Sequence, residues 1–181
     1  MREISLHLID IIQNSISANA TLIQVGMEAN TEKDYIKITI TDNGCGMDEE
    51  TLKNVKDPFV TSRKTRRVGL GLSLFEAACK RCDGYLEVYS EIGKGTEVIG
   101  YMKYNHIDRE PLGNIQDTIM SVLLYENVDV VYKHSFNENT FVFDSREIKG
   151  IVGEDLNNPE ILDWIRGYIA ENIENIDGGA I

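Results

Sequence analysis

The sequence predicts an α+β fold: a two-layer α/β sandwich with a mixed sheet and helices on one face, followed by a small α-β-β-α C-terminal region. Three observations predict it. Residues 35–41 alternate apolar and polar side chains cleanly, the period of a strand with one buried face. Residues 3–18 carry apolar side chains at helical spacing, and 70–82 read as a second helix. The strands fall in hairpin-like pairs with helices between them, an order that suits helices layered on one side of a sheet.

The elements follow in order. In the helix over 3–18, Ile4, Leu8, Ile11, Ile12, Ser15 and Ala18 fall near one stripe. Residues 22–29 alternate loosely as a strand, and 30–34 make a hairpin loop into the strand over 35–41. That strand runs into a tight glycine turn, Asp42-Asn43-Gly44-Cys45-Gly46. A short helix at about 48–55 has Asp48 and Glu49 at its positive end. Residues 57–69 are polar and basic without periodicity, and read as a loop. After the helix over 70–82, strands over 85–91 and 96–104 are joined by Ile92-Gly93-Lys94-Gly95. In the tail, a helix over 115–126 precedes a hairpin of 128–135 and 140–144. Pro159 opens a last helix over 159–172, at the position proline favours. Ile161, Ile165 and Ile169 stripe it, and Trp164 beside them is expected in the core.

The 181 residues are enough to bury a self-supporting core. At 42% hydrophobic and 27% charged, the chain is of ordinary globular composition. The net charge of −12 argues against nucleic acid or an anionic membrane as partner, since both need clustered positive charge. No apolar run approaches the ~20 residues that span a bilayer. The start leads straight into a helical pattern with no signal peptide, and three cysteines cannot all pair, so a cytoplasmic setting is expected. The charge is uneven: residues 1–104 hold 13 basic and 15 acidic side chains, residues 105–181 hold 5 and 15. Two units are therefore expected, 1–104 and an acidic 105–181.

Three glycine-centred turns carry the functional signal: Asp42-Asn43-Gly44-Cys45-Gly46, Gly69-Leu70-Gly71-Leu72 and Gly93-Lys94-Gly95-Thr96. Any one alone is an ordinary structural turn. In the first helix His7, Asp10 and Asn14 share one face. An Asn amide oxygen suits Mg²⁺. An Asp carboxylate can orient or deprotonate a nucleophile. Alone, these are a solvated polar face. Gly69 and Gly71 open the second helix, where free N–H groups favour phosphate. Arg63-Lys64-Thr65-Arg66-Arg67, the densest basic run, stands just upstream. A lone Cys79-Lys80-Arg81-Cys82 lacks a second ligand pair, so zinc binding is not expected of it; a redox role lacks the βαβ context and is left open.

The order Asp10-x-x-x-Asn14, Asp42-x-Gly44-x-Gly46, Gly69-x-Gly71, Gly93-x-Gly95-Thr96 resembles the GHKL ATPase superfamily, whose fold is the Bergerat α/β sandwich. The resemblance covers residues 1–104. Asp57-Pro58-Phe59-Val60-Thr61 with Gly69-Leu70-Gly71-Leu72 is similar to histidine kinases. Asn14-Ser15-Ile16-Ser17-Ala18 is closer to mismatch-repair ATPases. The resemblance implies ATP and Mg²⁺ as cofactors. Asn14 then matches the Mg²⁺ ligand, Asp42 the acceptor for the adenine amino group, and Gly44 and Gly46 the glycines beside the base. Met47 belongs to the same ATP-binding set. Phe59 through Val68, with Thr61, Arg63 and Lys64, match the lid over the phosphates. Gly69, Leu70, Gly71 and Leu72 match the hinge and phosphate turn, and Thr96 the support of the adenine site.

Asp10 stands where hydrolytic members and anti-sigma serine kinases carry Glu as general base. It keeps the carboxylate but reaches ~1.5 Å less far. His7, one turn upstream, is expected to be an exposed helix histidine. The lid is short. No phosphoacceptor helix is expected ahead of the first box, and His106 and His134 lack the flanking pattern of a phosphoacceptor. An ATP-dependent protein kinase acting on a partner in trans is the expected function. An ATP-gated binding module or slow ATPase, its tail engaging a partner, is the alternative. Oligomeric state is left open.

Overall fold

A computed structural model of the chain describes residues 3–55, 70–153, 156 and 158–181. The elements are α1 (Ile4–Ser17), β1 (Leu22–Asn30), β2 (Tyr35–Asp42), α2 (Glu49–Asn54), α3 (Leu70–Arg81), β3 (Tyr85–Glu91), β4 (Gly95–Met102), α4 (Ile115–Leu123), β5 (Asp129–Phe136), β6 (Asn139–Asp144), α5 (Ser145–Val152) and α6 (Pro159–Asp177). They form an α+β fold on one six-stranded mixed sheet of order β3-β4-β2-β1-β5-β6. Among the described residues only the β1–β5 pairing is parallel.

The expected alternation is present. Ile36, Ile38, Ile40 and Asp42 of β2 are buried, as are Ile23, Val25, Met27 and Ala29 of β1. This face packs against α1, α3, α4 and α6 in a core that includes Ile4, Leu8, Ile12, Phe75, Ile119 and Ile165. The other face is polar, with Gln24, Glu28 and Lys133 exposed.

The tail differs in two ways from the sequence expectation. Its strands form the expected antiparallel hairpin, β5 with β6, but the hairpin is not separate: β5 aligns with β1 over eight residue pairs, from Leu22–Asp129 to Ala29–Phe136, and extends the N-terminal sheet. The strap of residues 103–114 and α4 carry the chain from β4 to β5. The tail also holds one more helix than expected, α5, capped by Asp144, whose carboxylate accepts from the Arg146 N–H. Its eight residues are amphipathic, but the helix is short, carries Gly150, a poor helix former, and follows directly on a strand.

The strap is tied to α1. The N-cap of α1, Glu3, makes no side-chain cap bond. The Ile4 and Ser5 N–H groups donate instead to the carbonyls of Pro111 (3.0 Å) and Leu112 (2.9 Å). These would otherwise be orphan donors of a helix start. At the far end, Asp177 of α6 meets β5 through a buried chain. His134 Nε2 lies 3.0 Å from Asp177 Oδ2, and His134 Nδ1 lies 2.7 Å from the Tyr132 hydroxyl. Burial pushes the Tyr132 hydroxyl well above its ordinary range.

Candidate functional site

The site is built where β2 ends against α1. Asp42, 8% exposed, is held from two sides. The Ser15 hydroxyl donates to Oδ2 at 2.6 Å, and the Gly44 N–H donates to Oδ1 at 2.8 Å. Ser15 sits on the core stripe of α1. A hydroxyl on an apolar stripe is the sequence's one sign of a buried polar partner, and the stripe itself does not say that the partner is Asp42.

The glycine turn after Asp42 is clamped between α1 and the β3–β4 hairpin. The Cys45 N–H donates to the Ala18 carbonyl and the Gly93 N–H to the Cys45 carbonyl, both at 2.9 Å. Asn43 accepts from the Thr21 and Leu22 N–H groups, each at 2.9 Å. Two positions require glycine. Gly95 has φ +101°, and a Cβ there would stand 1.9 Å from the Asp42 carbonyl oxygen. Gly46 has φ +68°, and its Cβ would stand 2.0 Å from the Glu91 carbonyl oxygen. The backbones meet so closely that no side chain fits, whatever its rotamer.

Thr96 lies directly across from Asp42 in the β2–β4 ladder. Ser90 organises this side. Its Oγ is 2.9 Å from Thr96 Oγ1, from the Gly95 carbonyl oxygen and from the Met47 nitrogen, whose N–H it accepts. Ser90 was not a sequence candidate, because nothing about an isolated serine in a strand marks it. Met47 thus joins the turn through its backbone.

Asp10 and Asn14 are exposed, one turn apart on α1. The first turn of α3 packs directly against Asp10. A Cβ on Gly71 would stand 2.7 Å from that of Asp10, and Leu72 is buried beside it. Helix start, carboxylate and amide therefore share one surface with the Asp42 end of β2. Phe59, Thr61, Arg63, Lys64 and Gly69 lie outside the described residues, and of Leu70 only the backbone that opens α3 is described. Among the described residues no three His, Cys, Asp or Glu side chains cluster as a metal cage. Asn14 fits the other way of holding Mg²⁺, in which one protein oxygen shares the ion with phosphates and water.

His7 is not the exposed histidine the sequence suggested. It is 2% exposed, stacks on Phe75 at 5.4 Å, and sets Nε2 3.1 Å from Glu110 of the strap. Arg81 of α3 pairs with the other oxygen of Glu110. Burial lowers the pKa of His7 below its ordinary value, with Glu110 opposing the shift. The strap covers a face that helix periodicity alone leaves in water. Cys79 and Cys82 are both buried and unpaired, and burial pushes the Cys79 thiol up to about 12, far from the thiolate that redox or zinc chemistry uses.

Comparison with known proteins agrees with this geometry. The chain is 38% identical over 95 residues to a putative sensor protein of Shewanella frigidimarina, covering 50% of this chain and 14% of that protein. It is 39% identical over 80 residues to the anti-sigma F factor of Clostridium perfringens, covering 44% of this chain and 53% of that one. Sporulation kinase C of Bacillus subtilis is 36% identical over 88 residues, 49% of this chain and 20% of the kinase. The chain thus spans only a fraction of these relatives. Its fold also matches the crystal structure of the N-terminal domain of a DNA repair protein, with a TM-score of 0.56 at 14% identity, over 86% of this chain and 58% of that one. The family model for histidine kinase-, DNA gyrase B- and HSP90-like ATPases matches residues 2–106, so the chain belongs to that family.

Proposed function

We propose that residues 1–104 bind ATP with Mg²⁺ and that the protein transfers the γ-phosphoryl group to an acceptor on another protein. The observation that carries this is Asp42, buried and oriented by Ser15 and Gly44 at the end of β2, with exposed Asp10 and Asn14 on the adjoining helix. A carboxylate is an acceptor only, so Asp42 takes a hydrogen bond from the adenine amino group. Gly44 and Gly46 let the backbone approach the base, and Thr96, held by Ser90, supports it. Asn14 holds Mg²⁺ together with the phosphates. Asp10 orients the acceptor hydroxyl and takes its proton as the phosphoryl group is transferred and ADP leaves. Gly69, Leu70, Gly71 and Leu72 receive the phosphates, and Phe59, Thr61, Arg63 and Lys64 cover them. A relative named as a kinase supports the reaction class.

A second reading is favoured by one feature. The strap leading to residues 105–181 is bonded to the start of α1, and Glu110 holds His7 one turn before Asp10. A nucleotide that shifts α1 therefore pulls on the tail, and the protein acts as an ATP-gated binding module whose slow hydrolysis resets it.

The test uses γ-labelled ATP with Mg²⁺ and an extract of the source organism. Wild type and Asp10→Asn are compared for free phosphate and protein-bound label. The kinase reading expects label on a specific partner, reduced about 10²-fold or more in the variant, with ATP affinity retained. Free phosphate without labelled protein refutes transfer and favours the gated module. Turnover unchanged in the variant removes Asp10 from the chemistry.

A further inference from the structure

The sequence expectation put Trp164 in the core, and the structure leaves it 58% exposed on the flank of α6. It stacks on Tyr168 with centroids 5.4 Å apart and planes 12° from parallel. Tyr168 in turn meets Phe141 of β6 edge-on at 5.6 Å. These three rings run from the core at Phe141 outward into solvent. Glu160 and Glu171, one turn before Trp164 and two turns after it, lie on the same flank, both exposed. Neither has a cationic partner among the described residues, whereas Arg166 on the other flank is taken by Asp117 and Asp163.

Beside these rings runs an open sheet edge. β6 is the last strand of the sheet, paired only with β5 among the described residues. Alternate residues of such a strand turn their N–H and C=O groups outward. Exposed edges are commonly guarded by lysine or proline. β6, Asn139-Thr140-Phe141-Val142-Phe143-Asp144, has neither, and Val142 is 53% exposed.

We propose that the β6 edge and the Trp164–Tyr168 flank of α6 form one docking site for an extended, basic segment of a partner protein. The segment adds to β6 as a further strand, which gives it backbone hydrogen bonds. A Lys or Arg side chain of the segment lies across Trp164 between Glu160 and Glu171, gaining a cation–π contact and charge compensation. Charge selects this occupant over a second copy of the chain. Exposed Glu160 and Glu171 flank Trp164 without a cationic partner among the described residues, and a second copy brings the same two carboxylates rather than the cation that offsets them. The surface is separated from the Asp42–Thr96 end by β1 and β5, and the proposal does not depend on nucleotide.

Trp164 is the only tryptophan in the chain, so its fluorescence reports on this surface directly. The full chain is titrated with a synthetic peptide alternating Arg with Val and Thr. Two controls accompany it, one with Glu in place of Arg and one with Pro in place of Val. The expected result is a saturable change in emission with the Arg–Val–Thr peptide alone. Calorimetry should find binding about 30-fold weaker in Trp164→Ala, the range of an aromatic anchor, and several-fold weaker in Glu160→Gln/Glu171→Gln. The paired Gln variant keeps the question answerable where the Trp variant fails to fold. No emission change up to saturating peptide overturns the proposal. So does equal binding of the Pro peptide, which cannot extend a sheet. A concentration-dependent dimer abolished by Val142→Pro also overturns it, by giving the edge to a second copy.

Discussion

Ser15→Ala tests how the buried carboxylate is held. Ser15 is 3% exposed and donates to Asp42 at 2.6 Å, and Asp42 is itself 8% exposed. A hydrogen bond to a charged acceptor contributes about 1.5–3 kcal/mol. Alanine is the better helix former by about 0.5 kcal/mol, which offsets part of the loss. The net cost is therefore about 1–2.5 kcal/mol, a fall in Tm of roughly 2–10 °C for a chain of this size. ATP affinity should fall as well. Among the described residues only the Gly44 N–H then orients Asp42, and fixing a freed side chain on binding costs about 0.5–1.5 kcal/mol, or roughly 2–10-fold in Kd. Denaturant unfolding of Ser15→Ala, Asp42→Ala and the double variant measures the coupling, with calorimetry for ATP. Single-variant losses that add within about 0.5 kcal/mol mean no interaction and refute the reasoning. A loss of stability with unchanged ATP affinity refutes only the orienting role of Ser15.

Three further outcomes are expected. Asp42→Asn sets an amide against the adenine donor and should weaken ATP binding by about 1.5–3 kcal/mol; unchanged affinity by calorimetry removes Asp42 from the adenine site. His7 has a folded pKa below the ordinary 6.5. The unfolded chain therefore takes up that proton first as pH falls. Stability held above about pH 6.5 drains away below it until folded His7 itself protonates, and denaturant melts of His7→Gln should show a flatter slope there than wild type. Gly95→Ala forces a Cβ to 1.9 Å from a carbonyl at φ +101° and should cost more than about 2 kcal/mol, while Gly93→Ala, with nothing within 4 Å at φ +77°, should cost about 1–2; equal losses by chemical denaturation contradict the close approach.

Much of the N-terminal region was legible because its signals are local. A strand with one buried face has to alternate, and 35–41 does so to within a residue of β2. The stripe of α1, the Asp48 cap of α2 and Asn158-Pro159 at the start of α6 are patterns within a few residues of themselves. Pairing across the chain was not legible. Ser15 reads as a misplaced hydroxyl until β2 brings Asp42 against it, 27 residues later. His7 reads as exposed until the strap lays Glu110 over it, 103 residues later. Trp164 reads as core because apolar residues flank it, but its angle on α6 turns it away from the sheet.

The sequence alone determined the elements of the N-terminal region, the spacing of the glycine turns and the charge imbalance, because each depends only on neighbouring residues. The tertiary structure decided that β5 and β6 extend the N-terminal sheet. It also decided that Ser15 and Ser90 brace the two sides of the Asp42 turn, and that a Trp-bearing flank stays open beside an unpaired edge. Strand order and burial depend on which distant segments cover one another, and residue periodicity carries no record of that.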